Sequence, residues 1–197
     1  MDVSRLRIVT LAKSDLSHID VPPGFGAIVR SEDLRGVLAR VLDLRGVVTA
    51  ACAGCVLAGY ATDLPFVPVT YCGRRCPRPW DDLAQAHELG PIEVAPQFRR
   101  ARVAGALLSA VVANRRLEKN IVIGEALSWH WDLRGSGLGV WGYRAVLLRL
   151  FERAGFQRFE TSQPEVGLDP AGFLVAKVGV QTSPASRSAF LARLHGR

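Results

Sequence analysis

Apolar positions along this chain fall into short runs and helical repeats that are separated by glycine, proline and capping residues. Residues 7–11, Arg-Ile-Val-Thr-Leu, read as a first strand. After Ser31, Glu32 and Asp33, the residues Leu34, Val37, Leu38, Val41 and Leu42 recur at helical spacing. The pattern predicts a helix capped by Ser31, with acids in its first turn and Gly46 at its end. Residues 47–52 and 55–62 are uncharged and partly β-branched, and with Ala53-Gly54 between them they predict a β-hairpin. Residues 88–94 predict a strand that Pro96 stops. Val103, Leu107, Leu108 and Val111 or Val112 mark a helix ending near Asn114. A strand over 120–126, a helix over 143–154 closed by Gly155, a strand over 173–180 and a short helix over 186–194 complete the series.

Strands and helices interleave without a linker or a repeat. The expected class is therefore α/β or α+β, with one mixed sheet in one domain spanning 1–197. Pro65, Pro68, Pro77 and Pro79 place a long loop at about 63–82, and a short tail is expected at about 181–197.

Composition narrows the function classes. Of 197 residues 49% are hydrophobic and 22% charged, enough for one substantial core and against disorder. The net charge of +7 suits nucleic acid, an anionic membrane surface or an anionic small molecule. Basic residues come in small groups, Arg74-Arg75, Arg99-Arg100 with Arg102, and Arg115-Arg116, and no zinc-finger, RRM or basic-zipper pattern accompanies them. Most read as a solvated cationic surface. The longest uncharged stretch, 46–62, falls short of the ~20 residues of a membrane span and is broken by Gly54 and Gly59. Residues 1–5 show no basic region leading into an apolar one, so no secretory signal is read there. A cytoplasmic protein with reduced cysteines is expected. Cys52, Cys55, Cys72 and Cys76 have spacings compatible with a four-cysteine zinc site, but buried or free thiols are the preferred account, with a redox role as a third.

The segment from Ile92 to Ala104 carries the chemistry. A strand ends, the backbone turns, and a helix begins. Unpaired backbone N–H groups and the helix dipole at such a junction suit a pyrophosphate. Arg99, Arg100 and Arg102 add attraction for phosphate oxygens. A cationic helix start with no ligand is the alternative.

Two strings here resemble known motifs. Val94-x-Pro96-x-Phe98-Arg99 followed by Val103-Ala104 is similar to the acetyl-CoA motif of the GNAT superfamily of N-acetyltransferases. Phe151-Glu152-Arg153-Ala154-Gly155-Phe156 resembles that superfamily's late helix end. A closer resemblance covers nearly the whole chain. Glu88-Leu89-Gly90-x-Ile92-Glu93-Val94, Asn120-Ile121-Val122-Ile123 and Trp129-His130-Trp131-Asp132-Leu133-Arg134-Gly135-Ser136-Gly137-Leu138 resemble the bacterial acetoin-utilisation acetyltransferases. Gly59-Tyr60 and Ser183-Pro184 fit the same pattern.

The resemblance implies a GNAT-like, mostly antiparallel sheet flanked by helices. It implies acetyl-CoA as cosubstrate, held by Ile92, Val94, Arg99, Arg100, Ala101, Arg102, Val103 and Ala104. It also implies a protein lysine acceptor, in particular the active-site lysine of acetyl-CoA synthetase, which acetylation switches off. Other expected readings are a small-amine acetyltransferase, a non-catalytic acyl-CoA sensor, or a zinc-dependent nucleic-acid binder.

Glu88 stands where the superfamily's protein-lysine enzymes often carry their basic glutamate, so it is the candidate general base, with a structural ion-pair role as the alternative. Glu93, an odd spacing away and so expected on the opposite strand face, is the competing base candidate, with a structural carboxylate paired with an arginine as its other reading. Backbone N–H groups near Val94 are expected to hold the thioester oxygen. Two positions depart from the pattern. Arg102 replaces the motif's glycine, which stays compatible with binding if its conformation is ordinary helical. Phe151 replaces the tyrosine that protonates the leaving thiolate in many members, with Tyr143 as a possible substitute or a structural residue. Trp129, His130, Trp131 and Asp132 either orient the acceptor or serve as packing anchors. Gly135, Gly137 and Gly139 alternate like a phosphate loop only superficially.

Overall fold

In the computed structural model, residues 6–65 and 79–195 are described, with the backbone of 70–71 and 74–75. The strands are β1 (Leu6–Leu11), β2 (Val47–Ala53), β3 (Val56–Pro65), β4 (Thr70–Tyr71), β5 (Arg74–Arg75), β6 (Ala86–Val94), β7 (Ile121–Ala126), β8 (Gln157–Phe159) and β9 (Phe173–Val178). The helices are α1 (Leu34–Asp43), α2 (Val103–Val112), α3 (Leu133–Ser136), α4 (Val140–Arg153), α5 (Pro164–Leu168) and α6 (Pro184–Arg193).

Seven strands form one sheet in the order β1-β2-β3-β6-β7-β9-β8, and β4 pairs only with β5. Every neighbouring pair of the large sheet is antiparallel except β6 and β7. The parallel pair is short. Ala86, His87 and Glu88 match Ile121, Val122 and Ile123, and there the ladder stops although both strands continue. The sheet therefore splits into two wings beyond Glu88. One buried cluster joins α1 and α2 to the β1–β3 wing through Leu38, Leu57, Leu107 and Leu108, and a second gathers Trp80, Ile121, Ile123, Leu174 and Phe190.

Local chemistry moved several boundaries. Ser31 does not cap α1. Its hydroxyl donates to the carbonyls of Pro22 (3.2 Å) and Phe25 (3.3 Å), so the helix starts at Leu34 after Asp33. A short hydroxyl side chain that finds nearby carbonyls is lost to the helix end. The loop expected from residue 63 begins later, because β3 runs to Pro65. Asp63 lies buried inside the strand, where the Arg116 guanidinium pairs with it and His87 Nδ1 lies 3.2 Å from its Oδ1. The hairpin turn falls at Gly54-Cys55, one residue later than expected. The helix expected over 186–194 is α6, Pro184–Arg193, and it buries Phe190 against Trp80, with ring centroids 5.7 Å apart.

Candidate functional site

Where β6 and β7 part, a cleft of about 1790 Å³ opens, floored by both strands and walled by α2, α4 and the segment around Trp131. Its floor exposes backbone. Ala95 N–H bonds to the Ala58 carbonyl (2.9 Å), and Gly59 pairs with Val94. In an antiparallel ladder, bonded and non-bonded pairs alternate. The N–H groups of Val94 and Ile92 therefore point away from β3, into the gap. The Val94 carbonyl points the same way and accepts from Arg99 Nε (3.3 Å).

A bulge orders the carboxylates. Ala61 pairs with Ile92 but Asp63 pairs with Leu89, so β6 holds one extra residue there. β3 is regular through this stretch, and it places Tyr60 opposite Glu93 and Leu64 opposite Glu88. Tyr60 and Leu64 share a face, and so do Glu88 and Glu93. The opposite-face expectation for Glu93 fails because the bulge shifts the period by one. Gly90 allows the bulge, since a Cβ there would lie 2.3 Å from Thr62 Oγ1.

Glu93 is structural, as expected, but its partners are not arginines. Its Oε1 accepts from the N–H groups of Gly26 and Ala27 (2.9 Å each), and its Oε2 accepts from the Tyr60 hydroxyl (3.0 Å). Burial, and then the Glu93 carboxylate, push the Tyr60 phenol far up, which keeps it a donor. Glu88 lines the cleft just where the ladder ends.

The turn into α2 is unusual. Arg100 and Arg102 are both left-handed, with φ of 67° and 58°. The condition set for Arg102, an ordinary helical conformation, is not met: it adopts the region in which glycine is at ease. The turn leaves the N–H groups of Val103, Ala104 and Gly105 at the open end of α2, beside the cleft. Val103 itself is buried in the core and Ala101 packs against it, so their contribution to a ligand is backbone only. The Arg100 and Arg102 side chains are exposed along the cleft, and Arg153 from α4 joins them.

Arg99 faces the opposite wing. Its guanidinium forms a 2.6 Å ion pair with Asp132. Asp132 also caps α3 by accepting from Gly135 N–H (2.8 Å). That N–H, and then Arg99, hold Asp132 below the usual carboxylate range against partial burial. Gly135 is required by this contact, since a Cβ would meet Asp132 and Arg99 within 2.8 Å, while Gly137 is the left-handed end of α3. The glycines thus build a turn rather than a phosphate loop.

Trp131 stacks on Tyr143 (5.4 Å between centroids, 15° between planes). Burial pushes the Tyr143 phenol up, Arg99 pulls it down and Asp132 pushes it up, and the group stays protonated at neutral pH. Phe151 packs edge-on against Phe156 and Phe173 in the core. Trp129 is 56% exposed at the rim beside His130. Desolvation by its neighbours lowers the His130 pKa, with Glu165 opposing. Asp169 ties the turn holding these residues to the turn before β9, accepting from the Ser128 hydroxyl (3.0 Å) and Ala171 N–H (3.0 Å).

Two lining features escaped the sequence reading: Ala27-Ile28 and Glu125. Glu125 was signalled only as a lone charge in the apolar run of β7. Its Oε1 accepts from Trp80 Nε1 (3.0 Å). Cys52 is buried on β2, while Cys55 donates to Asp20 Oδ2 (3.0 Å). Cys72 and Cys76 lie outside the described residues. Among the described residues no group of three or more metal-ligating side chains is assembled, and no helix is long and apolar enough to cross a membrane.

No family model matches the chain. Its sequence is 38% identical over 111 residues to the acetoin utilization protein AcuA of Bacillus licheniformis, an overlap of 56% of this chain and 53% of the relative. The AcuA of Bacillus subtilis matches at 37% over 103 residues. The chain spans about half the length of these curated relatives, 53% and 49%. Its fold superposes on the acetoin utilization protein of Exiguobacterium sibiricum with a TM-score of 0.88 at 28% identity, covering 96% of this chain and 88% of that one. The Salmonella typhimurium protein yncA, solved with its cofactor acetyl-CoA, aligns with a TM-score of 0.55 at 16% identity, over 92% and 98% of the two chains. The sheet, its split and its flanking helices are the fold of the GNAT acetyltransferases.

Proposed function

We propose that this chain, with the fold of GNAT acetyltransferases and a sequence similar to acetoin utilization proteins, acetylates a lysine side chain of another protein. Acetyl-CoA supplies the acetyl group as a thioester. The cleft's exposed backbone carries this reading: the N–H groups of Ile92 and Val94 face the gap beside Glu88, and the open end of α2 lies next to them.

Each residue then has a task. The N–H groups of Val103, Ala104 and Gly105 and the side chains of Arg100 and Arg102 hold the pyrophosphate. Glu88 takes a proton from the acceptor ammonium, directly or through water, leaving a neutral amine whose lone pair attacks the carbonyl carbon. The N–H groups of Ile92 and Val94 hold the oxygen as it becomes negative. When the carbon–sulfur bond breaks, Tyr143 gives its proton to the thiolate, the role of the tyrosine that Phe151 replaces, and the phenolate recovers a proton, through water, from the nitrogen, which sheds its second proton as the amide forms. Arg99 is set apart from the phosphate group, because its ion pair with Asp132 braces the cleft.

The leading acceptor is acetyl-CoA synthetase. The test is acetyl transfer to that enzyme, purified, by the wild type and by Glu88→Gln. The expected result is one acetylated lysine, loss of synthetase activity, and a fall in rate on the order of 100-fold or more in the variant. Transfer to small amines alone would replace the protein acceptor, and tight CoA binding without transfer to any amine would leave a sensor.

A further inference from the structure

We propose that Glu93 is a positioning residue: with Tyr60 it pins residues 24–28 against the cleft, so that Ile28 forms a fixed apolar wall for the alkyl stem of the acceptor. This rests on the transferase reading above and deepens it. Alternate residues of β3 separate the two faces of the sheet. A Cβ on Gly59 would lie 3.3 Å from Leu107 Cδ1, so α2 covers the face of Gly59. Tyr60 points to the other face, where its ring meets that of Phe25 at 5.7 Å between centroids. Glu93, opposite Tyr60, and Glu88, opposite Leu64, lie on the Tyr60 face as well. The open end of α2, to which the donor's phosphates are assigned, is thus on one face, and residues 24–28 are on the other. The gap between β6 and β7 joins the two, and the cleft is lined from both. An amine that attacks from the side away from the phosphates passes Ala27 and Ile28.

Residues 24–28 belong to no helix or strand, and three contacts fix them. A Cβ on Gly24 would come within 3.0 Å of the Pro96 ring, so the backbone there packs directly on the end of β6. Phe25 is buried against Tyr60. Glu93 Oε1 accepts from the N–H groups of Gly26 and Ala27, at 2.9 Å each, and Oε2 accepts from the Tyr60 hydroxyl at 3.0 Å. Two successive N–H groups converging on one oxygen form a nest for the carboxylate. The third bond fixes the carboxylate itself. Glu93 is only 6% exposed, and a buried carboxylate is tolerated because donors meet both of its oxygens. Donors to the charged form also make it a weak proton acceptor, which suits a brace and not a base. Past the clamp, Ile28 stands at the cleft with 38% of its surface exposed, although a branched alkyl side chain favours burial. A wall already in place spares the acceptor the cost of ordering it.

Three variants separate the roles. Glu93→Gln keeps an oxygen for the Gly26 and Ala27 N–H groups and an amide to meet the Tyr60 hydroxyl, but it cannot take a proton. Glu93→Ala releases the segment. Ile28→Ser leaves it pinned and removes the apolar face. The probe is N-α-acetyl-lysine methylamide, titrated by calorimetry into CoA-saturated protein. Glu93→Ala is expected to lose about tenfold in probe affinity, Ile28→Ser about fivefold, and Glu93→Gln less than about twofold. CoA affinity holds in all three. In turnover the acceptor KM rises in the same order, the acetyl-CoA KM holds, and kcat of Glu93→Gln falls less than about threefold. Unaltered probe affinity in Ile28→Ser, no probe binding by the wild type, or a parallel loss of CoA and probe affinity in Glu93→Ala overturns the inference. A collapse of kcat in Glu93→Gln overturns it too and makes Glu93 the base. If Glu93→Ala does not fold, Ile28→Ser, at an exposed position, carries the test. Probe binding does not depend on transfer, so a failure of the transferase reading shows separately, as absent acetylated product.

Discussion

Arg102 combines two properties in one side chain. Its φ of 58° places a long, linear cationic side chain in the left-handed region, and the residue is exposed along the cleft. A left-handed non-glycine residue costs about 1–2 kcal/mol, and glycine would return about 0.5–1 kcal/mol of that as lost chain entropy. Arg102→Gly is therefore expected to stabilise the fold by up to about 1 kcal/mol, a rise of roughly 2–4 °C in melting temperature. If the guanidinium holds phosphate, the same variant weakens acetyl-CoA binding. Calorimetry and the acetyl-CoA KM together separate backbone relief from charge loss. Tyr143 is the second residue whose role is sharp. Burial keeps its phenol protonated, so Tyr143→Phe is expected to lower kcat on the order of 100-fold with little change in KM, because Trp131 can stack on either ring. An unchanged kcat would make Tyr143 a packing residue.

Among the elements, the bulge in β6 and the Asp169 turn do the positioning. Gly90→Ala puts a methyl against a stiff, buried threonine, and a loss of about 1–3 kcal/mol in denaturant unfolding is expected. Asp169 is buried, which works against its charge, but the Ser128 N–H and hydroxyl and the Ala171 and Gly172 N–H groups outweigh that and hold it low. A depressed folded pKa gives stability that is present above the unfolded value, near 4, and fades as pH falls through the folded one. Urea titrations between about pH 2 and 5 are expected to show this slope in the wild type and a flatter one in Asp169→Asn. Most of the elements were legible in sequence, because hydrophobic period and caps are local signals. Glu88, Ile92, Val94, Arg99, Arg100 and Arg102, singled out from the sequence, come together along the cleft. The bulge was not legible, since Gly90-Pro91 marks a break without saying which side gains a residue, and so Glu93 was assigned to the wrong face. Ser31 was misjudged because its acceptors, Pro22 and Phe25, belong to a preceding segment with no periodic signal. Trp80 and Glu125 meet from 45 positions apart, a pairing only tertiary packing creates.

In the molecule as a whole, the two wings of the sheet are joined by three paired positions of β6 and β7 and braced across the gap by the ion pair of Arg99 with Asp132. The pair is about a quarter exposed on each side, 26% and 29%, so its worth to global stability is below about 1 kcal/mol in a double-mutant cycle. Its effect on the cleft is expected to be larger. Replacing Arg99 and Asp132 together by alanine should raise the acetyl-CoA KM several-fold while the melting temperature moves little. A proportional loss of both would make the pair an ordinary surface contact.

The split also turns β6, from Leu89 to Val94, into an edge strand that faces the interior of its own molecule. Unpaired N–H and C=O groups on an edge are a template for any extended chain, which is why exposed edges invite aggregation. A ligand laid along the gap would close that edge in the manner of an added strand. Its saturation at about a hundred times Kd would add roughly 2.7 kcal/mol to folding. Storage and heating trials should therefore find this protein most prone to self-association when the cleft is unfilled, with CoA acting as its guard against neighbouring copies.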